Sequence, residues 1–316
     1  QRNDILKLLF ETPYEALRER ADEVRAREKG EHVFVRGLIE FSNRCERNCR
    51  YCGLRSANPS LKRYRLDEAQ IVEAAERAVA FGVDTLLQSG EVHDEPQRIA
   101  HVVDALRTRF PVAVTLSVGE QPTASYALWK EAGASRFLLK HETADASLYA
   151  ALHPGYTLAQ RVDALQRLRR AGYEIGSGFI VGVPGQRPET LADDILLARE
   201  LHVDMCGAGP FIPQADTPLG NEPQGSVELA LRVMAVLRIA LPWSNLPATT
   251  ALASLDPVSG QREGLLAGGN VLMPGFTPAA HREDYCIYDN KHRVSMDEAR
   301  QVIESAGRAH SLHREG

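Results

Sequence analysis

Short apolar runs alternate with longer amphipathic segments along nearly the whole chain, and this alternation limits the possible fold more than any other feature. The apolar runs are predicted to be strands, whereas the segments between them show the residue spacing of amphipathic helices. Such alternation is typical of parallel α/β folds, and eight strands favour an α/β fold of the (β/α)8 TIM-barrel type. The predicted strands are residues 37–42, 85–89, 113–117, 136–140, 174–181, 204–209, 246–250 and 270–273. The predicted helices are residues 67–81, 95–108, 122–132, 157–171, 188–200, 226–240, 257–267 and 295–308.

The stretch before the first predicted strand is expected to form an N-terminal helical arm, helical over residues 3–30. We therefore predict an arm over residues 1–36 and a barrel with a C-terminal helix over residues 37–316. The chain has 316 residues, 44% hydrophobic and 25% charged, which suits one undivided barrel. A net charge of -5 argues against a nucleic-acid partner. No apolar stretch approaches the roughly 20 residues that cross a membrane, so a cytoplasmic location without a membrane partner is expected.

Three cysteines, Cys45, Cys49 and Cys52, lie in one short loop directly after the first predicted strand. A four-iron cluster normally takes four cysteine thiolates, so a loop with three leaves one iron open to another ligand. A structural zinc site is closed by four ligands with paired spacings, and the sequence has no second pair. A disulfide framework is disfavoured because the loop has an odd number of cysteines and a reducing compartment without secretion is expected. The loop therefore favours an iron–sulfur cluster with one open iron.

Polar or glycine-rich segments also follow most of the other predicted strands. In TIM barrels, the loops at the C-terminal ends of the strands build the active site. We therefore expect these segments to converge with the cysteine loop. They are residues 88–91, 117–120, 140–143, 176–185, 205–211 and 247–250.

The spacing CxxxCxxC in the loop resembles that of the radical S-adenosylmethionine (SAM) enzymes. Nearly the whole chain also resembles the HydE-type maturases of FeFe hydrogenases, which are related to biotin synthase and methylornithine synthase. The resemblance implies a 4Fe-4S cluster and SAM as cofactors. It also implies that SAM is cleaved reductively to a 5'-deoxyadenosyl radical, used in maturation of the hydrogenase di-iron subcluster. The segments that carry the resemblance are residues 39–43, 51–55, 62–65, 87–91, 141–144, 209–213, 216–219 and 247–251.

The resemblance further implies roles for individual residues. Cys45, Cys49 and Cys52 would ligate the cluster. The cofactor-binding residues would be Tyr51 near the adenine, Gln88 next to cofactor and substrate, Ser89, Gly90 and Glu91 at the methionine amine, Glu142 at the ribose, Arg161 at the carboxylate and Met205 beside the adenosine. The substrate-binding residues would be Lys140, Thr249, Thr250, Met273, Tyr285 and Tyr288.

Three of these residues also have simpler interpretations. Spacing alone favours them for all three, but position relative to the family pattern reverses that preference for Glu142 and Arg161. Tyr51 could cap the core, Glu142 could pair with Lys140, and Arg161 could be a solvated helix residue. Lys140 also departs from the family pattern, which has arginine at this position. The two cations differ in their ability to bind an anion at two points, so the substrate geometry at Lys140 is less defined.

The remaining cysteines, Cys206 and Cys286, are expected to be small buried or partly buried residues, so the sequence predicts one cluster. Whether Cys286 holds a second metal stays open. Biotin synthase is disfavoured because its additional cluster needs several further cysteines. Two alternatives to a maturase stay open, a radical SAM amino-acid mutase like methylornithine synthase and an iron–sulfur carrier. The expected partners are a small organometallic or amino-acid-derived substrate, other maturases and an external electron donor.

Overall fold

The structure, a computed structural model, describes residues 1–93 and 96–311. Asp94, Glu95 and residues 312–316, which the predicted barrel includes, lie outside the described residues. The α-helices in the described part are α1 (Arg2–Phe10), α2 (Tyr14–Lys29), α3 (Glu68–Ala80), α4 (Pro96–Arg109), α5 (Thr123–Glu131), α6 (Ala146–Leu152), α7 (Leu158–Arg170), α8 (Pro188–Glu200), α9 (Val227–Ala240), α10 (Thr250–Leu255), α11 (Gly260–Leu266) and α12 (Met296–Ser305). The strands are β1 (His32–Ser42), β2 (Asp84–Ser89), β3 (Val114–Ser117), β4 (Ala134–Leu138), β5 (Glu174–Val181), β6 (Met205–Pro210), β7 (Val271–Leu272) and β8 (Ala309–His310).

Seven strands form one parallel sheet in the order β6-β5-β4-β3-β2-β1-β7, and β8 pairs with β1 outside this path. Ile39 in β1 lies opposite Leu87 in β2, and Leu87 lies opposite Leu116 in β3. These three side chains are at most 1% exposed. Strands of a parallel sheet with crossover helices are buried on both faces, which explains their nearly continuous apolar sequences. The predicted α/β fold of the TIM-barrel type is confirmed.

The ring is closed by the backbone of residues 245–248, where the sequence predicts the strand 246–250. This segment is not a strand in the structure, because it makes only single bridges, Met205 with Asn245 and Pro247 with Val271. Its backbone hydrogen bonds to the two neighbouring strands include one from the Cys206 amide to the Asn245 carbonyl and one from the Ala248 amide to the Val271 carbonyl, both 3.0 Å long. Pro247 has no N–H group, so a regular ladder is interrupted there.

Arg238 in α9 holds this closing segment from behind. Its side chain is fully buried and donates hydrogen bonds to the carbonyl oxygens of Gly268 at 2.8 Å and Ser244 at 2.9 Å. Two further bonds, each 2.9 Å long, go to the Pro242 carbonyl and to Oδ1 of Asn270, which also accepts the Leu246 amide at 2.8 Å. One guanidinium group therefore fixes the backbone on both sides of the point where the barrel closes.

The predicted helical arm is divided into two helices, α1 and α2, because Pro13 lies between them. Leu9 and Leu17 are fully buried in the core of the protein. Strand β1 begins at His32, so the predicted boundary after residue 36 lies inside a strand. The division into an arm and a barrel stays a prediction.

Helices α6 and α10 are absent from the sequence prediction. Helix α6 begins after Asp145, whose carboxylate accepts hydrogen bonds from the amides of Ser147 and Leu148 at 2.9 and 3.0 Å, as an N-cap does. Both helices are short, at seven and six residues, so neither develops the long amphipathic pattern on which the prediction relies. Among the residues described, no helix combines the length and the apolar character that crossing a membrane requires.

Candidate functional site

One cavity of about 360 Å³ lies at the C-terminal ends of the barrel strands. Every residue that the sequence analysis selects for cluster, cofactor or substrate lines it, although these residues come from loops along most of the chain. This placement follows the rule for TIM barrels. Their individual roles stay predictions. The residues are Cys45, Cys49, Tyr51, Cys52, Gln88, Ser89, Gly90, Glu91, Lys140, Glu142, Arg161, Met205, Thr249, Thr250, Met273, Tyr285 and Tyr288.

The cysteine loop packs directly on the segment that follows β2. The Glu46 amide donates a 2.7 Å hydrogen bond to the Glu91 carbonyl, and the Glu91 amide lies 3.4 Å from the sulfur of Cys45. A Cβ atom at Gly90 would lie 2.2 Å from the carbonyl oxygen of Arg44 and 2.7 Å from Cβ of Cys45. Only glycine lets the two segments approach so closely.

The three loop cysteines are free thiols that reach the cavity from one side. Burial raises the pKa of all three thiols, and it raises the pKa of Cys49 to about 12. A thiolate at these positions therefore needs a cationic ligand. No three Cys, His, Asp or Glu side chains within residues 1–93 and 96–311 converge on a point that could hold a single metal ion. The donor set fits a cluster in which each thiolate binds a different iron.

Neither remaining cysteine lies in the cysteine loop, although the backbone of Cys286 packs on it: its carbonyl oxygen would lie 2.1 Å from a Cβ atom at Gly53. Cys206 is 1% exposed in β6, and the sulfur of Cys286 lies 3.4 Å from the carbonyl oxygen of Tyr288. Neither lines the cavity. The expectation that both are small buried or partly buried residues is confirmed.

Two buried arginines and two buried glutamates form a connected network beside the cysteine loop, which we call the tetrad: Arg47, Glu91, Glu120 and Arg161. Nε of Arg47 lies 2.5 Å from Oε1 of Glu91, and its Nη2 lies 3.1 Å from Oε2 of Glu120. The other oxygen of Glu120 lies 2.5 Å from Nε of Arg161. The amide of Glu120 donates to Oε2 of Glu91 at 2.8 Å. The two positive and two negative charges of the tetrad balance each other away from water.

Arg47 and Glu120 have no role among the sequence-based predictions. Arg47 lies between two of the cluster cysteines, and Glu120 follows β3, so both are in segments expected at the site. Burial works to raise the pKa of Glu120, but the guanidinium groups of Arg161 and Arg47 outweigh it and hold this pKa below its usual range. Glu120 is therefore an ionised acceptor for both arginines at neutral pH.

Arg161 lies in the first turn of α7, which begins with a capping box between Thr157 and Gln160. It is 7% exposed, so its interpretation as a solvated helix residue is wrong. Besides the bond from Nε to Glu120, its Nη1 donates to the carbonyl of Lys140 at 2.8 Å. Among the described residues, none hydrogen-bonds its Nη2, so this nitrogen is left for a ligand of the cavity that Arg161 lines.

Tyr51 lines the cavity beside the cysteines, and its hydroxyl lies 2.9 Å from Nε2 of His153. Burial lowers the pKa of His153 to about 4, so the imidazole is neutral near pH 7. Its Nδ1 lies 3.0 Å from the Tyr149 carbonyl, which can only accept, so Nδ1 is the protonated nitrogen. Nε2 therefore accepts a hydrogen bond from Tyr51. This bond fixes the direction of the tyrosine ring against the cavity.

Glu142 reaches the cavity from a left-handed backbone conformation, with φ of 64°. Its amide donates to the Gly178 carbonyl at 2.9 Å, and its own carbonyl accepts the Ile180 amide at 3.1 Å. These bonds to β5 hold a conformation that is uncommon for residues other than glycine. Nζ of Lys140 lies 3.3 Å from Oε2 of Glu142, so the pairing considered in the sequence analysis is present. That oxygen is buried and has no hydrogen bond from the described residues.

Met205 at the start of β6 is 5% exposed and forms part of the barrel wall. Nη1 of Arg36 lies 2.9 Å from its sulfur. A Cβ atom at Gly176 would lie 3.0 Å from the methyl group of Met205. Met205 is thus both a core residue and a residue of the cavity lining.

The lower part of the cavity contains a second ion pair that the sequence analysis does not identify. Lys291 contacts the carboxylate of Glu40, and the Thr277 hydroxyl donates to the other Glu40 oxygen at 3.1 Å. Nζ of Lys291 also lies 4.9 Å from the ring centre of Tyr285. Nearby, the hydroxyl of Thr249 is buried without a partner among the described residues. Glu40 and Thr249 lie in two of the segments that carry the family resemblance, but the position of Lys291 has no local signal.

Comparisons with known proteins agree with this geometry. Residues 39–198 match the family model described as "Radical SAM superfamily". The FeFe hydrogenase maturase subunit HydE of Thermotoga maritima is 48% identical over 279 residues, which cover 88% of this chain and 80% of that protein. The 3-methylornithine synthase of Methanosarcina acetivorans is 28% identical over 303 residues, covering 95% of this chain and 85% of that protein.

A solved structure of methylornithine synthase is also similar. Its TM-score is 0.88 at 26% sequence identity, over 98% of this chain and 94% of that chain. The similarity includes the barrel, whose strand ends carry the cavity described above.

Proposed function

Because the chain belongs to the radical SAM superfamily and, within it, to the HydE family, we propose that it acts in the maturation of an FeFe hydrogenase. The chain is a radical SAM enzyme that uses a 4Fe-4S cluster and SAM. The observation that most supports the proposal is that the residues predicted to bind cluster, SAM and substrate line one cavity. Three thiols of one loop, the buried side chain of Arg161 and a polar lower chamber all open into it. Among the residues that the structure describes, none hydrogen-bonds Nη2 of Arg161.

When bound, the cluster supplies the electron that cleaves a C–S bond of SAM and yields a 5'-deoxyadenosyl radical. Cys45, Cys49 and Cys52 would each hold one iron, and the lack of a fourth loop cysteine leaves an iron free for the methionine end of SAM. The close contact of Gly90 with Arg44 and Cys45 would fix the position of this loop relative to β2. These residues would therefore position the cluster relative to the end of β2.

The upper cavity offers complementary groups to each part of SAM. Nη2 of Arg161 would donate to the carboxylate, and the segment of Ser89, Gly90 and Glu91 would face the amine. The buried oxygen of Glu142 would accept a hydrogen bond from a ribose hydroxyl. Tyr51, held by His153, would lie against the adenine. Holding the reacting atoms in one orientation is the main contribution that such a site makes to rate.

The lower cavity would hold the substrate of the radical. Gln88, Thr249, Thr250, Met273, Tyr285 and Tyr288 line it and mix hydroxyl, amide and apolar surface. Lys140 and Lys291 also line the cavity, but each is paired with a carboxylate, Glu142 and Glu40 respectively. The hydroxyl and amide groups would therefore bind a small substrate, organometallic or derived from an amino acid. Other maturases would supply or receive this compound, and an external donor would supply the electron.

The second candidate is an amino-acid mutase of the methylornithine synthase type, supported by the structural similarity over nearly the whole of both chains. A mutase would share the upper cavity and differ in the lower one. It would convert free lysine, whereas the proposed maturase would leave lysine unchanged.

The proposed function is tested by 5'-deoxyadenosine formation in anaerobically reconstituted protein supplied with SAM and dithionite. Wild type and Cys286→Ala should form the product with equal iron content, because Cys286 lies outside the cavity. Cys49→Ala should form none. Product from Cys49→Ala at the wild-type rate, or none from wild type with a full cluster, would reject the proposal; the second result would favour the iron–sulfur carrier. Lysine consumption in the same assay would favour the mutase.

A further inference from the structure

Glu120 joins the cysteine loop to the arginine that faces SAM. Its Oε2 lies 3.1 Å from Arg47, which is inside the cysteine loop, and its Oε1 lies 2.5 Å from Arg161 on α7. We propose that Glu120 is a positioning residue that sets the distance between the cluster and the SAM carboxylate. This inference rests on the proposed function, in which Arg161 binds that carboxylate.

The carboxylate of Glu120 is itself held in place. Gly119 has φ of 78°, and a Cβ atom there would lie 2.2 Å from Oε2 of Glu91. The Glu120 amide donates to this same oxygen at 2.8 Å. Glu120 is 8% exposed, so most of its surface is shielded from water. The end of β3 is thus anchored to the segment on which the cysteine loop packs.

The two guanidinium groups need both oxygens of one carboxylate. A glutamine has one oxygen and an NH2 group, so it would present a donor to one of the two arginines. An aspartate keeps the charge but is shorter by one CH2 group, so it does not reach both arginines from the same backbone position. Arg47 keeps its 2.5 Å contact with Glu91 in either variant, so the cysteine loop retains one charged anchor.

The charge of residue 120 and the position of its carboxylate lead to different expectations for SAM binding in these two variants. Loss of one negative charge in Glu120→Gln would strengthen the attraction of the site for the SAM carboxylate, whereas Glu120→Asp would leave the charge unchanged. If the position of the carboxylate is decisive, both variants disturb SAM binding, although only Glu120→Gln removes the negative charge. The pair of variants therefore separates the two effects.

The experiment uses reconstituted protein with matched controls at Glu174, which pairs with Arg136 at 3.0 Å but does not line the cavity. SAM affinity is measured by calorimetry, and the electron paramagnetic resonance spectrum of the reduced cluster is recorded with and without SAM. Glu120→Gln and Glu120→Asp should both slow SAM cleavage about tenfold or more and reduce the SAM-induced spectral change. Iron content and the spectrum without SAM should be unchanged. Glu174→Gln and Glu174→Asp should match wild type in every readout.

A cycle with Arg161→Ala tests whether Glu120 acts through Arg161. In that background, Glu120→Asp should add less than a twofold effect. A full additional effect, a Glu120→Asp variant identical to wild type, or loss of the cluster from both variants would overturn the inference. If wild type itself shows no SAM-induced spectral change, the proposed function fails; if wild type responds and the Glu120 variants do as well, only this inference fails.

Discussion

Gly90→Ala is the substitution whose effect follows most directly from measured contacts. The new Cβ would lie 2.2 Å from the Arg44 carbonyl oxygen, where even 3.0 Å is a separation that Cβ atoms essentially never go below. The two segments must therefore separate by about 0.8 Å, and both candidates for movement are rigid. One is the end of β2, and the other is the backbone next to Cys45.

The size of this displacement determines how much stability and how much affinity for the cluster we expect Gly90→Ala to lose. Overpacking of a tight contact costs about 1–3 kcal/mol of stability. Ligand distances in metal sites tolerate about 0.2 Å, so a shift of about 0.8 Å beside Cys45 exceeds what the cluster accepts. Disturbing the support of a metal ligand typically lowers metal affinity about 10- to 100-fold. We therefore expect a folded protein that is less stable and holds the cluster poorly.

The assay compares Gly90→Ala with Gly275→Ala, the same substitution at a glycine where a Cβ atom meets nothing within 4 Å. Urea unfolding gives the change in the free energy of unfolding, and iron per chain is determined after anaerobic reconstitution. Gly275→Ala should lie within about 0.5 kcal/mol of wild type and hold a full cluster. Gly90→Ala with full iron content and wild-type SAM cleavage would refute the argument that this close approach fixes Cys45.

Three further substitutions test other parts of the structure. Burial raises the pKa of Asp194 to about 8, whereas the ordinary aspartate pKa, which applies to the unfolded chain, is 3.8. The folded state therefore keeps a proton that the unfolded chain loses. The stabilisation from this group is complete below pH 3.8 and is lost as the pH rises to about 8. The free energy of unfolding of Asp194→Asn, measured by urea titration, should therefore fall less between about pH 5 and pH 9 than that of wild type, and equal slopes would contradict the shift. Glu142→Gln should raise the KM for SAM about tenfold, because a charged acceptor at the ribose is replaced by a neutral one, and unchanged steady-state kinetics would exclude that role. Arg238→Leu should lower the free energy of unfolding in urea by about 3 kcal/mol or more, since it leaves buried carbonyl groups near the barrel closure unpaired; a loss below about 1 kcal/mol would show that the closing segment does not depend on them.

The position of the cysteine loop could be predicted from local sequence because its determinants are adjacent in the chain. The three cysteines of the loop follow β1 directly, and strand ends of parallel barrels meet on one face. The polar segments after β2 and β4 were predicted at the site for the same reason. The irregular shape of the closing segment 245–248 could not be predicted from the sequence, because Pro247 and the neighbouring strands together determine whether a hydrogen-bonded ladder forms.

The sequence by itself determined the parallel α/β fold and the cysteine loop, because periodicity and short spacings encode them. Its resemblance to the HydE-type maturases implied the set of residues that line one cavity. Only the tertiary structure decided the partners of charged groups that lie far apart in the chain. Arg47 meets Glu91 across 44 positions, Arg161 meets Glu120 across 41, and Lys291 meets Glu40 across 251. Ion pairs of this kind depend on which loops fold against each other and on how completely water is excluded, and neither is written in the spacing of residues along the chain.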